Sequence, residues 1–401
     1  MEKVTLRVDA SERSYPLGDL YGIFFEDINH AADGGLYAEL VQNRAFEFLP
    51  VDNREYHALT AYYAVGENTR ITIEESEPLS QKNPHYAVVE VEEGIGGIGN
   101  EGFHGIPLKA GEDYTFSVYA KCRKQPKLTV TVRLADKDGN LLAQGRLSVG
   151  TAWHQHRLML QPAKDCVDAV LELVAEGNCT FCIDMLSLFP SATYKHRMNG
   201  MRNDIAEAIA ELKPKFMRFP GGCLVHDGSL NRGDRDALYF WKNTVGPLWE
   251  RAARRNNWGY NQTLGLGYYE YFLFCEDIGA EPLPVLRAAY NPHRHESAPL
   301  EELDAWIQDA LDLIEFANGN DMTGWGRVRA ELGHPKSFRL KYLAIGNEEL
   351  FAPFVERFPY FRNAIKEKYP DIQVISSVGP FADGEDFDWM WEEAEKAQAD
   401  L

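Results

Sequence analysis

Arg339-Leu-Lys-Tyr-Leu-Ala-Ile-Gly-Asn347 is an apolar run of strand length that stops at Gly346-Asn347 and is followed at once by Glu348-Glu349. Helical periodicity brackets it, over Leu300 to Asn318 before and Val355 to Tyr369 after. A strand between two helices predicts a βαβ unit and a parallel sheet. The pattern repeats outward. Asp371 to Pro380 (DIQVISSVGP) reads as the next strand and Phe387 to Ala399 as its helix. Towards the N-terminus come strand Glu281 to Tyr290 (EPLPVLRAAY), helix Leu266 to Ile278, strand Lys215 to Gly222 (KFMRFPGG) and helix Met201 to Leu212. Leu20 to Glu26 (LYGIFFE) reads as a buried strand, and the stretch Asp27 to Phe48 holds Gly34-Gly35 and then a helical pattern with Leu36, Leu40 and Val41 on one face.

From about Val51 to Pro190 the period is two. TFSVYAKC (115–122), KLTVTVRL (127–134), LLAQGRLSV (141–149), HQHRLML (154–160), AVLELVA (169–175) and TFCIDMLSLF (180–189) alternate or nearly so. Asp138-Gly139 is a hairpin signal between two of them. Short strands with no helix between them predict an antiparallel β-sandwich. The organisation is then an α/β protein: residues 1–49 as a first βα unit, residues 50–190 as an inserted sandwich, and residues 191–401 as four further βα units. A closed (β/α)8 TIM barrel has eight units. Five leave two readings, an open five-stranded sheet or a barrel lacking its last three.

The formal net charge is −20, which disfavours polyanionic partners such as nucleic acid or an acidic membrane. Arg251, Arg254 and Arg255 form a short basic cluster that reads as one solvated helix face. No apolar run approaches the length of a membrane span, and Met1-Glu2-Lys3-Val4 opens no signal-peptide core, so a cytoplasmic location is expected. The six cysteines are scattered and do not form a disulfide framework. Cys179-Thr-Phe-Cys182 lies in a strand, where its spacing puts the thiols on opposite faces. There is no HExxH, GxxxxGK[ST] or GxSxG, and neither a metal nor a cofactor is expected.

Three motifs can carry chemistry. Glu348 follows a strand and an Asn. A carboxyl shielded there would titrate high enough to protonate a leaving oxygen, and Asn347 could bond a sugar hydroxyl beside the reacting carbon. The competing reading makes both residues caps of the next helix. Arg218, before Pro220-Gly221-Gly222-Cys223, can hold substrate or pair with a structural carboxylate. Glu26, in FFEDINH, suits vicinal hydroxyls, or its loop merely satisfies backbone groups.

YGIFFEDINHAADGGLYAELVQNRAFEF (21–48), FMRFPGG (216–222) and AIGNEE (344–349), in this order, resemble glycoside hydrolase family 51. The likeness is to its α-L-arabinofuranosidases with a β-sandwich inserted near the N-terminus, and it covers essentially the whole chain. The insert, ending FCIDMLSLFP, is similar to carbohydrate-binding modules; a sugar-binding role and a spacer role both stay open for it. The resemblance implies a (β/α)8 barrel followed by a small all-β domain, and a retaining double displacement on terminal arabinofuranosides of arabinose-containing glycans. It implies Glu348 as general acid/base on strand four, and substrate contacts from Asn347, Glu26 and Arg218. A family Trp after the second strand matches Trp258. Cys223 stands where many members have Asn, and a thiol is a weaker hydrogen-bonding partner. The family nucleophile is a Glu on strand seven, expected beyond Leu401, so this chain alone is expected to be inactive. Family members are often oligomers, which allows for a homo-oligomer. Two alternatives remain at this point: a non-catalytic carbohydrate-binding protein, and a sister β-xylosidase or endoglucanase on the same scaffold.

Overall fold

The computed structural model describes residues 4–7, 9, 11, 18–322 and 324–401; Met1, Glu2 and Lys3 of the N-terminal run lie outside them. Strands β1 (Ile23–Phe24), β2 (Phe216–Phe219), β3 (Glu281–Leu286), β4 (Tyr342–Ile345) and β5 (Gln373–Ser376) form one sheet in that spatial order. Every pairing in it is parallel. Helices α1 (Asn203–Glu211), α2 (Tyr268–Ile278), α3 (Leu303–Asn318), α4 (Ala352–Lys368) and α5 (Glu385–Lys396) alternate with the strands. Helix α2 shows how sequence sets the boundaries. The Glu270 carboxylate accepts the Gly267 N–H at 2.9 Å in its first turn, and Gly279 ends it at φ 71°. That left-handed conformation favours glycine. Phe219, Tyr268, Phe272, Leu313, Phe316, Leu343 and Val374 pack the sheet against its helices.

The segment between β1 and β2 holds the predicted sandwich. One sheet joins Thr69–Glu74, Tyr86–Val91, Cys179–Pro190, Tyr114–Cys122 and His154–Leu160; the other is built on Tyr62–Val65, Ile95–Asn100, Cys166–Glu176, Leu128–Ala135 and Leu141–Val149. All pairings are antiparallel. Residues of both sheets, among them Phe116, Val118, Val130, Val132, Leu171, Leu173, Phe181 and Ile183, close one core. Gly139, at φ 81°, donates its N–H to the Asp136 carbonyl in the expected hairpin. Cys179 faces this core, while Cys182 packs on the other face with Tyr86 and Val88.

Three expectations are corrected. No α-helix follows β1. Ala32–Leu36 forms a single wide turn broken by non-helical angles at Asp33, Gly34 and Gly35, and Asn43 and Phe46 adopt positive φ. Leu36, Leu40 and Val41 are apolar because the segment is wedged between two cores: Leu36 joins the sheet's, and Val41 and Phe46 join the sandwich's. Glu39 takes the place of helical hydrogen bonds by accepting the N–H groups of Val41 and Leu188. Leu20 to Glu26 is not a buried strand throughout. Only Ile23–Phe24 pair, and Leu20 and Phe24 are exposed because β1 has one neighbour, β2. Arg251, Arg254 and Arg255 lie on no helix. Arg254 and Arg255 begin the strand Arg254–Asn256, and Arg251 is buried against Glu270.

Candidate active site

The carboxyl ends of β1, β2 and β4 open on one side of the sheet, and each delivers a polar residue there. Phe25 donates its N–H to the Arg218 carbonyl at 2.8 Å, which seats Glu26 just beyond β1. Glu26 Oε1 accepts the Leu224 N–H at 3.0 Å and the Trp258 indole N–H at 3.3 Å. Gly221 and Gly222 leave room for this. A Cβ on Gly221 would sit 2.9 Å from Glu26 Cγ, and one on Gly222 would sit 3.1 Å from Asn347 Oδ1.

Arg218 projects from β2, and its guanidinium lies 4.5 Å from the Phe24 ring centroid. It donates to Asn347 Oδ1. Burial pulls its pKa down, against the opposing pull of Glu26 and Glu348; the group stays charged in any case. Asn347 is buried and aims its Nδ2 at Glu348 Oε2, 3.4 Å away. The Cys223 thiol donates to the same carboxylate oxygen at 3.3 Å. Glu26, Arg218, Asn347, Cys223, Glu348 and Trp258 are thus brought together at one mouth.

Two further readings are settled by geometry. Asn347 and Glu348 do not cap α4, whose N-cap is Phe351. Glu348 takes φ 51°, turning it out of the strand direction. It is exposed rather than shielded, contrary to expectation, because that turn points it from the open end of the sheet.

Trp258 rides on a ribbon formed by Arg254–Asn256 and Tyr260–Gln262. Asp27 clamps this ribbon. Its carboxylate accepts Gln262 Nε2 at 2.7 Å and the Tyr260 hydroxyl at 2.9 Å, and its carbonyl accepts Asn256 Nδ2 at 2.9 Å. Burial, with Asp33 adding to it, pushes Asp27 up to about 6.

Two residues were missed by sequence reading. Glu349 is fully buried behind Asn347, with its pKa raised by burial, and its Oε1 lies 3.1 Å from His226 Nδ1. The signals were present: a second Glu in GNEE, and a His three residues after Cys223.

A parallel α/β sheet with a polar cluster at its carboxyl ends places the chain among proteins whose sites are built from strand-end residues. Residues 208–398 match the family model described as the α-L-arabinofuranosidase 1 domain. The extracellular exo-α-L-arabinofuranosidase of Streptomyces chartreusis is 44% identical, over 99% of this chain and 48% of that protein. Arabidopsis thaliana α-L-arabinofuranosidase 2 is 33% identical, over 93% of this chain and 56% of that protein. Arabinose-bound MgGH51 α-L-arabinofuranosidase superposes with a TM-score of 0.81 at 34% identity, covering 89% of this chain and 58% of that one. The chain is thus similar, over nearly its whole length, to part of the family 51 α-L-arabinofuranosidases. It spans about half the length of the curated relatives it matches.

Proposed function

We propose that this chain supplies the acid/base half of a retaining α-L-arabinofuranosidase acting on terminal arabinofuranosyl residues of arabinose-containing glycans. Glu348 protonates the leaving oxygen and then deprotonates the incoming water. Asn347 and Arg218 hold hydroxyls beside the reacting carbon. Glu26 and Trp258 form the opposite wall, and Cys223 orients Glu348. Residues 1–49 and 191–401 would belong to a (β/α)8 barrel completed by strands beyond Leu401, with residues 50–190 as the inserted sandwich. The nucleophile would come from those later strands. Retention needs two carboxylates about 5–5.5 Å apart, so residues 1–401 alone are not expected to turn over.

The observation that carries this reading is the convergence of Glu26, Arg218 and Asn347 on Glu348 from three separate strand ends. The relatives' names favour neither a non-catalytic binding protein nor a sister glycosidase. Among the described residues no helix is long and apolar enough to cross a membrane. The Streptomyces relative is named extracellular, so the cytoplasmic location expected from the sequence gains no support from it.

The test is Glu348→Ala in a protein that carries the remaining strands. Hydrolysis of alkyl or sugar leaving groups should fall about 10²–10⁴-fold. Activated aryl leaving groups, which need little protonation, should suffer far less at the glycosylation step, and azide should restore turnover. Equal loss on both classes with no azide rescue would make Glu348 a structural residue.

A further inference from the structure

Behind the Glu348 carboxylate, one sulfur and two imidazoles meet. Potential ligand atoms of Cys223, His226 and His293 all lie within 4.8 Å of one another. Cys223 and His226 sit at either end of the single turn Cys223–His226, which follows Gly221-Gly222 just beyond β2. His293 comes from the turn after Tyr290–Asn291, where its N–H is fixed to Asn291 Oδ1 at 2.9 Å. Its ring meets that of His226 edge to face, centroids 5.1 Å apart.

The state of His226 is informative. The residue is 1% exposed, its Nδ1 is 3.1 Å from Glu349 Oε1, and its buried Nε2 has no partner among the described residues. A buried polar atom left unpartnered is costly, and native structures rarely tolerate one. With the proton on Nδ1, donated to Glu349, Nε2 is a bare lone pair on a ring that has Cys223 and His293 as neighbours. A carboxylate behind an imidazole whose other nitrogen is free is how metal-ligating histidines are oriented and made more basic. Glu349 also accepts the Asn347 N–H at 3.4 Å, so the Glu349–His226 pair sits directly behind the mouth where Glu26 and Arg218 converge.

We propose that Cys223, His226 and His293 form a binding site for a thiophilic divalent transition metal of the zinc type. The donor set is the one zinc favours, with the fourth position open. Zinc-to-ligand lengths of 2.0–2.3 Å in a tetrahedron place ligands about 3.3–3.6 Å apart, so the cluster must contract by about 1 Å. His293, exposed on its turn, can make that movement. Burial first, and then the Glu348 carboxylate, push the Cys223 thiol up to about 12. The free chain therefore keeps that proton; when the sulfur binds the ion, the proton leaves to solvent. Glu348 lies beside the site, its Oε2 3.3 Å from Cys223 Sγ. On the acid/base reading of Glu348, and only on it, an ion held there would engage the catalytic carboxylate and inhibit.

The test needs no catalytic activity and so fails separately from that reading. The 401-residue chain is titrated with Co²⁺, followed by its visible bands and its sulfur-to-cobalt charge-transfer band, and with Zn²⁺ by calorimetry. One ion per chain should bind in tetrahedral geometry. Cys223→Ser should abolish the charge-transfer band, and His293→Ala should weaken binding about 10-fold or more, both variants melting like the parent. Absence of saturable binding overturns the proposal. So does either variant binding as tightly as the parent, which would place the ion on other residues.

Discussion

Asp27 offers a quantitative test of how the Trp258 ribbon is held. Its side chain is 2% exposed and accepts hydrogen bonds from Gln262, Tyr260 and the Ala32 N–H, yet it has no cationic partner within ion-pair distance among the described residues. Burial therefore outweighs the hydrogen bonds, and its pKa rises from 3.8 to about 6. A carboxyl that is harder to ionise when folded stabilises the protein in its protonated form. That contribution is complete below the unfolded value and is lost as pH rises through the folded one. The rise corresponds to about 3 kcal/mol, of which about 2–3 kcal/mol is lost between about pH 4 and 7. Asp27→Asn keeps the shape and removes the titration. Urea unfolding of parent and variant across that range should show the parent losing about 2–3 kcal/mol relative to Asp27→Asn as pH rises. A difference that stays flat, or in which the parent gains with pH, would mean that the hydrogen bonds hold Asp27 ionised and that a charged carboxylate, rather than a protonated one, clamps the ribbon.

Two further outcomes follow from packing. Glu270→Ala leaves Arg251, itself 3% exposed and bonded to both Glu270 oxygens, as a buried unpaired charge. Unfolding should show a loss of about 3–5 kcal/mol, partly recovered by adding Arg251→Met. Gly221→Ala puts a Cβ 2.9 Å from both Glu26 Cγ and Leu224 Cβ. Stability should fall by about 1–3 kcal/mol. In a complete enzyme kcat/KM should drop about tenfold, equivalent to about 1.4 kcal/mol; an unchanged kcat/KM would remove Glu26 from the site.

The architecture was legible wherever one surface decides a residue's character. Strand pleat wrote a period of two into Tyr114–Cys122, and helix burial wrote its own period into Leu303–Asn318. The stretch after β1 misled because Leu36 and Val41 answer to two different cores, and their spacing imitates a helix face. Arg251 misled because its partner, Glu270, is brought to it only by the fold. The strand-end motifs hold Glu26, Arg218 and Asn347, which the fold brings to one mouth. What local sequence could not carry was the second layer. The Glu349 carboxylate and the His226 ring become neighbours only across β2 and β4, 123 positions apart in the chain.

The long excursion between β1 and β2 has a consequence for how the chain finds its way home. Ile23 pairs with Met217, so about 190 residues must be closed into a loop before the first parallel contact forms. Yet Leu40 donates its N–H to the Leu188 carbonyl at 3.0 Å, so the excursion leaves and re-enters through a single narrow neck. Once the sandwich has folded and that neck is tied, the free loop shrinks from about 190 residues to about 45. At about 0.6 kcal/mol per halving, this removes roughly 1 kcal/mol from the entropy of closure. The inserted sheets thus behave as a knot in a string: most of the intervening length is taken up locally, and β1 approaches β2 as though they were near neighbours in sequence.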